Sequence, residues 1–165
     1  MKTHINRLPE YYSTKDEGLA FEDWLRNIHP VHQLPQDWNQ EVSGEMSSRR
    51  LLVIDDEVKI REMYRQIFNS IGYVVVTVGN AMEAHNLLVR HRFDVVLLDI
   101  NMHEVDGSTL FEVMRAFHKN TKVVVSSVYS INEQKERIND ADGYFDKSDD
   151  KEALIAMVSS LIVES

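Results

Sequence analysis

The chain contains no cysteine among its 165 residues, so disulfides, thiolate chemistry and cysteine-based zinc sites are closed to it. No apolar run approaches the roughly 20 residues that a helix needs to cross a bilayer. The start, Met1-Lys2-Thr3-His4, lacks the apolar core of a secretion signal, and a cytoplasmic protein is the expectation. Positive charge is in deficit: 18 Lys and Arg stand against 27 Asp and Glu, a net charge of −9. That balance argues against direct nucleic-acid binding, which needs a basic face. Proline is scarce and confined: Pro9, Pro30 and Pro35 all precede residue 48.

An apolar content of 43% with 27% charged residues is that of a globular protein with an ordinary core. The composition changes near Ser47, because both tryptophans (Trp24 and Trp38) also lie before it. The stretch Ser43-Gly44-Glu45-Met46-Ser47-Ser48 reads as a linker. Two parts are therefore expected, an extension over 1–48 and a domain over 49–165. Within the extension, Phe21, Trp24, Leu25 and Ile28 share a helical spacing that Pro30 terminates, which predicts one short amphipathic helix over 17–28. Such a helix is marginal alone in water. Its apolar face is expected to dock on the rest of the chain, to pair with another copy as a homodimer, or to stay partly disordered. Two tryptophans in so short a segment favour contact with a partner.

Beyond Arg50 short apolar runs alternate with helical periodicities. Strands are predicted over 51–54, 74–78, 93–98, 123–126 and 144–145. Helices are predicted over 58–70, 81–90, 108–117, 132–139 and 149–163, the third capped by Ser108 or Asp106. Five such alternations imply right-handed crossovers and an α/β, doubly wound, five-stranded parallel sheet covered on both faces. The fourth helix is the weakest: Asn132-Glu133-Gln134-Lys135-Glu136-Arg137 is almost wholly polar, with Ile131 and Ile138 as its anchors. It is expected to be mobile, short or partly unwound.

Three of the apolar runs end in charge. Leu51-Leu52-Val53-Ile54 leads into Asp55-Asp56, Val95-Val96-Leu97-Leu98 into Asp99, and Gly143-Tyr144-Phe145-Asp146 into Lys147. In a parallel sheet the carboxyl ends of the strands form one crevice, where ligands bind. Asp99 carries the most information, since a carboxylate closing a buried run is costly unless it is paired or bound to metal.

This arrangement resembles the receiver domain of bacterial two-component response regulators, over roughly Arg49 to the C-terminus. The family pattern is an acidic pair after the first strand, an Asp after the third, a Ser or Thr after the fourth and a Lys after the fifth. Asp55 and Asp56, Asp99, Ser127 and Lys147 occupy those places in that order. The resemblance implies the flavodoxin-like strand order 2-1-3-4-5. It implies Asp99 as phosphoacceptor, with Mg2+ held by Asp55 (through water), Asp56, Asp99 and the backbone carbonyl of Asn101. Lys147 is implied to pair with Asp99 and then with the phosphoryl group, while Ser127 and Tyr144 form the switch. Asn101 and Tyr129 occupy positions that tune phosphoryl lifetime in this family. The phosphoryl donor would be a sensor histidine kinase or a histidine phosphotransfer protein, and the output an altered contact with a downstream protein.

The chain departs from the family in two places. His103 replaces a usual proline, leaving the loop less rigidly set; it is within reach of the site, though a solvated loop histidine is the expectation. Ser148 follows Lys147 where proline is common, so a cis peptide is not expected there. Two other functions compete with the signalling module: a phosphorylation-independent receiver-like scaffold, and a Mg2+-dependent phosphatase forming an aspartyl phosphate. Haloacid-dehalogenase-type phosphatases need a second acid two residues after the nucleophile, and Asn101 stands there. The chain is thus expected to be no enzyme beyond its own phosphorylation and dephosphorylation.

Overall fold

The structure, a computed structural model, describes residues 49–103 and 107–163. The extension, the helix expected over 17–28, the linker and the capping candidate Asp106 lie outside the described residues. Within them, five strands alternate with five helices: β1 (Arg49–Ile54), α1 (Val58–Ser70), β2 (Tyr73–Val78), α2 (Ala81–Arg90), β3 (Val95–Leu98), α3 (Gly107–Phe117), β4 (Lys122–Ser127), α4 (Ile131–Arg137), β5 (Gly143–Asp146) and α5 (Lys151–Val163). The strands form one sheet of order β2-β1-β3-β4-β5, and every neighbouring pair is parallel.

Alternation along each strand divides the core into two layers, because successive side chains point to opposite faces. Leu52, Ile54, Val96, Leu98, Val123 and Val125 meet Leu87 and Leu88 of α2 and Leu110 and Met114 of α3. Leu51, Val53, Val95, Leu97 and Val124 meet Tyr64 and Phe68 of α1 and Leu154 and Val158 of α5. Both faces are covered, which is why β1 and β3 read as continuous apolar runs. Each of these side chains contributes about 1.5–3 kcal/mol by leaving water.

Local chemistry sets the element ends. Helix α1 is followed by Gly72, whose φ of 91° lies in the left-handed region that suits glycine after a helix. The Asn80 side chain accepts from the Glu83 amide and starts α2. Helix α3 begins at Gly107, so Ser108 lies inside it and is not its cap. Helix α4 is seven residues long, and it is better fastened than its polar sequence suggests. Ser130 and Glu133 form a reciprocal capping box. The Gln134 side chain is fully buried and donates to the Tyr129 carbonyl at 2.7 Å and the Phe145 carbonyl at 3.0 Å. The pattern of apolar residues missed this anchor because it is a polar one.

The parallel register brings the charged strand ends together. Ile54 pairs with Leu98, Leu98 with Val125, and Ser127 with Asp146. Asp55, Asp99 and Lys147 therefore emerge along a single edge. No peptide among the described residues is cis, and no described helix is long and apolar enough to cross a membrane.

Candidate functional site

Asp55 follows β1 directly and is 1% exposed, and Asp99 follows β3 and is 3% exposed. Backbone bonds fix both, from the Asp55 amide to the Val78 carbonyl at 3.2 Å and from the Asp99 amide to the Ile54 carbonyl at 2.9 Å. The two carboxylates are held alike. Asp55 Oδ1 accepts from the Glu57 amide and Asp99 Oδ1 from the Asn101 amide, each at 2.9 Å and two residues along the chain. The other oxygen of each faces Lys147, whose Nζ lies 2.7 Å from Asp55 Oδ2 and 2.7 Å from Asp99 Oδ2. Strand β5 is two strand spacings from β3, about 10 Å. A long side chain is needed to cover that distance, and the small Ser127 stands on the intervening strand.

Electrostatics follow from burial and proximity. Burial pushes the Asp55 carboxyl above its ordinary pKa, although Lys147 draws it back. Burial opposes the charge on Lys147, but Asp55 and Asp99 outweigh it and hold the ammonium above its usual value. Asp56 is the outermost of the three acids, half-buried where the others are buried. Burial alone would raise its carboxyl, yet bonds from His103 lower it.

Each of Asp55, Asp56 and Asp99 offers a carboxylate oxygen within 4.8 Å of the others. Three carboxylates against the single Lys147 ammonium leave two negative charges, the complement of one divalent cation. Hard oxygen donors suit Mg2+, which usually retains several waters and a few carboxylates. The residues present thus fit a magnesium ion in donor type and in charge.

Other expected site residues lie around this group. Ser127 is fully buried, and its hydroxyl accepts from the Tyr129 amide at a long 3.5 Å. Its carbonyl accepts from the Lys147 amide at 2.9 Å. Asn101 is exposed, and its side-chain oxygen accepts from the Tyr129 hydroxyl at 3.3 Å. The Arg137 guanidinium lies over the Tyr129 ring, 4.3 Å from its centroid. Tyr144 stands apart from the acids. Its hydroxyl donates to the Ile138 carbonyl at 2.6 Å and accepts from the Ala141 amide at 3.1 Å.

One contact escaped the sequence reading and another was only its lesser alternative. Arg61 Nη1 donates to the backbone carbonyls of Asp55 at 2.7 Å and Asp56 at 3.1 Å, bracing the acidic loop from α1. The helical spacing that places Arg61 one turn into α1, beneath that loop, was the available signal. His103 is a correction to the reading of a merely solvated histidine. Its side chain is 91% exposed, yet its Nδ1 is hydrogen-bonded to Asp56 Oδ2.

Comparison with known proteins agrees with this geometry. The family described as the response regulator receiver domain matches residues 51–159. Sporulation initiation phosphotransferase F of Bacillus subtilis is 30% identical over 95 residues, 55% of this chain and 77% of that protein. Sensor histidine kinase RcsC of Salmonella typhimurium is 27% identical over 134 residues, 70% of this chain but 14% of the kinase. The solved structure of response regulator protein TrrA from Thermotoga maritima, in complex with Mg2+-BeF, superposes with a TM-score of 0.64 at 31% identity. It covers 68% of this chain and 98% of that one.

Proposed function

Since the chain belongs to the response regulator receiver domain family, we propose that it is a phosphorylation-controlled signalling module of a two-component system or phosphorelay. Asp99 takes a phosphoryl group from a phosphohistidine donor. The P–N bond to the donor imidazole breaks as a P–O bond to the Asp99 carboxylate forms, and the imidazole leaves with the electron pair. Hydrolysis of the acyl phosphate returns Asp99 and inorganic phosphate, and no other turnover is assigned to the chain. The similarity to a sporulation phosphotransferase and to part of a sensor kinase supports a sensor histidine kinase or a histidine phosphotransfer protein as the donor.

Asp55, Asp56, Asp99 and the backbone carbonyl of Asn101 would hold Mg2+, a reading supported by the three converging carboxylates and by the Mg2+-BeF complex of TrrA. Bound there, the ion supplies positive charge that lets an anionic carboxylate meet an anionic phosphoryl group. Lys147 leaves its pairing with Asp99 for a phosphoryl oxygen. Ser127 gives up its long bond to the Tyr129 amide and donates to another oxygen. Tyr144 turns inward, exchanging its bonds to Ile138 and Ala141, and alters the face made by α4, β5 and α5. A downstream protein reads that change. The acidic net charge argues against DNA as the target, and the cytoplasm is the compartment where such a relay operates.

What carries this reading is the Lys147 ammonium placed 2.7 Å from both Asp55 and Asp99 at one sheet edge. The test is labelling of the full chain with acetyl phosphate and Mg2+, followed on a phosphate-affinity gel. One shifted band is expected, lost in Asp99→Ala and in chelator. No labelling by acetyl phosphate or by a histidine kinase would turn the case towards a phosphorylation-independent scaffold. A band that persists in Asp99→Ala would move the acceptor elsewhere.

A further inference from the structure

Asp55 and Asp99 are each oriented twice, by an amide two residues along the chain and by Lys147. Asp56 has neither support. Among the described residues its carboxylate is held from outside by one: Oδ2 accepts from the His103 amide at 3.3 Å and is hydrogen-bonded to the same residue's Nδ1. Both contacts converge on a single oxygen, which leaves Oδ1 for a cation. The usual proline of this loop position would supply neither contact, since it has no N–H and no polar side chain.

We propose that His103 is a positioning residue for the cation site, presetting the Asp56 carboxylate so that divalent-cation affinity depends on a side chain lying outside the acidic cluster. The proposal rests on the receiver reading of the site. Its physical basis is pre-organisation. Without the imidazole, Asp56 keeps only the 3.3 Å bond from the His103 amide, and cation binding bears more of the entropy cost of ordering it. Partners that orient a metal-binding group typically change affinity by about 10- to 100-fold. Here the backbone amide remains when the imidazole is removed, and the expected loss is at the low end of that range. The His103 side chain is 91% exposed, so its removal leaves the core untouched.

The test is Mg2+ binding to the full chain by titration calorimetry, for wild type, His103→Ala, His103→Pro, His103→Asn and Asp56→Ala. Unfolding midpoints are recorded in chelator and in Mg2+. The expected result is a dissociation constant raised about 10-fold in His103→Ala and further in His103→Pro, which loses both donors. His103→Asn, which keeps a short side-chain N–H, is expected to recover most of the affinity. Midpoints in chelator stay alike for the His103 variants, while the upward shift produced by Mg2+ shrinks in step with affinity. A purely structural role would move the midpoint in chelator and would not be rescued by Asn. Wild type that binds Mg2+ while His103→Ala binds equally well or more tightly overturns the proposal alone. Tighter binding would mean that the imidazole competes for the carboxylate. Wild type that binds no Mg2+ overturns the cation site and this proposal with it.

Discussion

At the scale of single residues, Lys147 bears the largest electrostatic responsibility. Its side chain is 7% exposed and lies between carboxylates that are 2% and 4% exposed. Removing one member of a buried charge group leaves the others uncompensated, which costs about 3–5 kcal/mol. Lys147→Ala is therefore expected to lower stability by about that amount in urea unfolding without divalent cation, and added Mg2+ is expected to restore part of the loss. An unchanged midpoint would show that the carboxylates are hydrated or protonated in the fold. The sign of the pH dependence follows from the raised pKa of Lys147. Its contribution is complete below the unfolded value of about 10.4 and is lost only as pH rises through the higher folded value. Asp55, Asp56, Asp99 and Lys147 were legible in the sequence because each ends an apolar run. Of the partners that hold them, Arg61 was not, and His103 was legible only as a residue within reach of the site. A guanidinium on two carbonyls and an imidazole on one carboxylate leave no periodic trace in the chain.

At the scale of elements, α4 shows how a polar residue can do the work of a core residue. Gln134 joins the loop after β4 to strand β5, linking the backbone near Ser127 to that near Lys147. Its substitution strands the buried Phe145 carbonyl and the part-buried Tyr129 carbonyl, at about 1–3 kcal/mol when a buried group loses its bond. Gln134→Ala is expected to destabilise the protein by that amount and to speed hydrogen exchange across residues 131–138. The Ile138 amide, bonded to the Gln134 carbonyl at 2.9 Å, is the one to watch. Equal exchange in both proteins would mean that the capping box alone maintains the helix. Gly107 makes a different point. A Cβ there would lie 2.7 Å from Ile100 Cα and would also press on the Asp99 carbonyl. The start of α3 thus packs directly on the backbone of the acceptor segment, and only glycine permits so close an approach.

At the scale of the whole molecule, the fold holds a concentration of negative charge at one sheet edge within a chain already at −9. Asp55, raised by burial, keeps its proton longer in the folded state than in the unfolded one. Its ionisation consequently removes stability as pH climbs from the unfolded value of about 3.9 to the folded one. A bound divalent cation reverses that deficit and needs ionised carboxylates to do so. Mg2+ is accordingly expected to raise the thermal unfolding midpoint at pH 7 and to raise it less at pH 4, where Asp55 holds its proton. NaCl of equal ionic strength separates site binding from screening. The same Mg2+ shift at both pH values would place the stabilising ion away from these acids.

The sequence by itself determined the class of fold, the alternation of strand and helix, and which residues stand at strand ends. Those properties depend on local periodicity and on the burial demanded by runs such as Val95-Val96-Leu97-Leu98. Asp55, Asp99 and Lys147 could be assigned to one edge because parallel strands share the direction of their carboxyl ends. Only the tertiary structure decided that one ammonium serves both buried acids, that His103 turns back onto Asp56, and that Gln134 rather than an aliphatic residue fastens α4. The first two are contacts between segments distant in sequence and the third joins α4 to its flanking loop and to β5, all of them fixed by register and loop path. Hydrogen bonds, unlike hydrophobic faces, impose no repeating pattern on the chain that makes them.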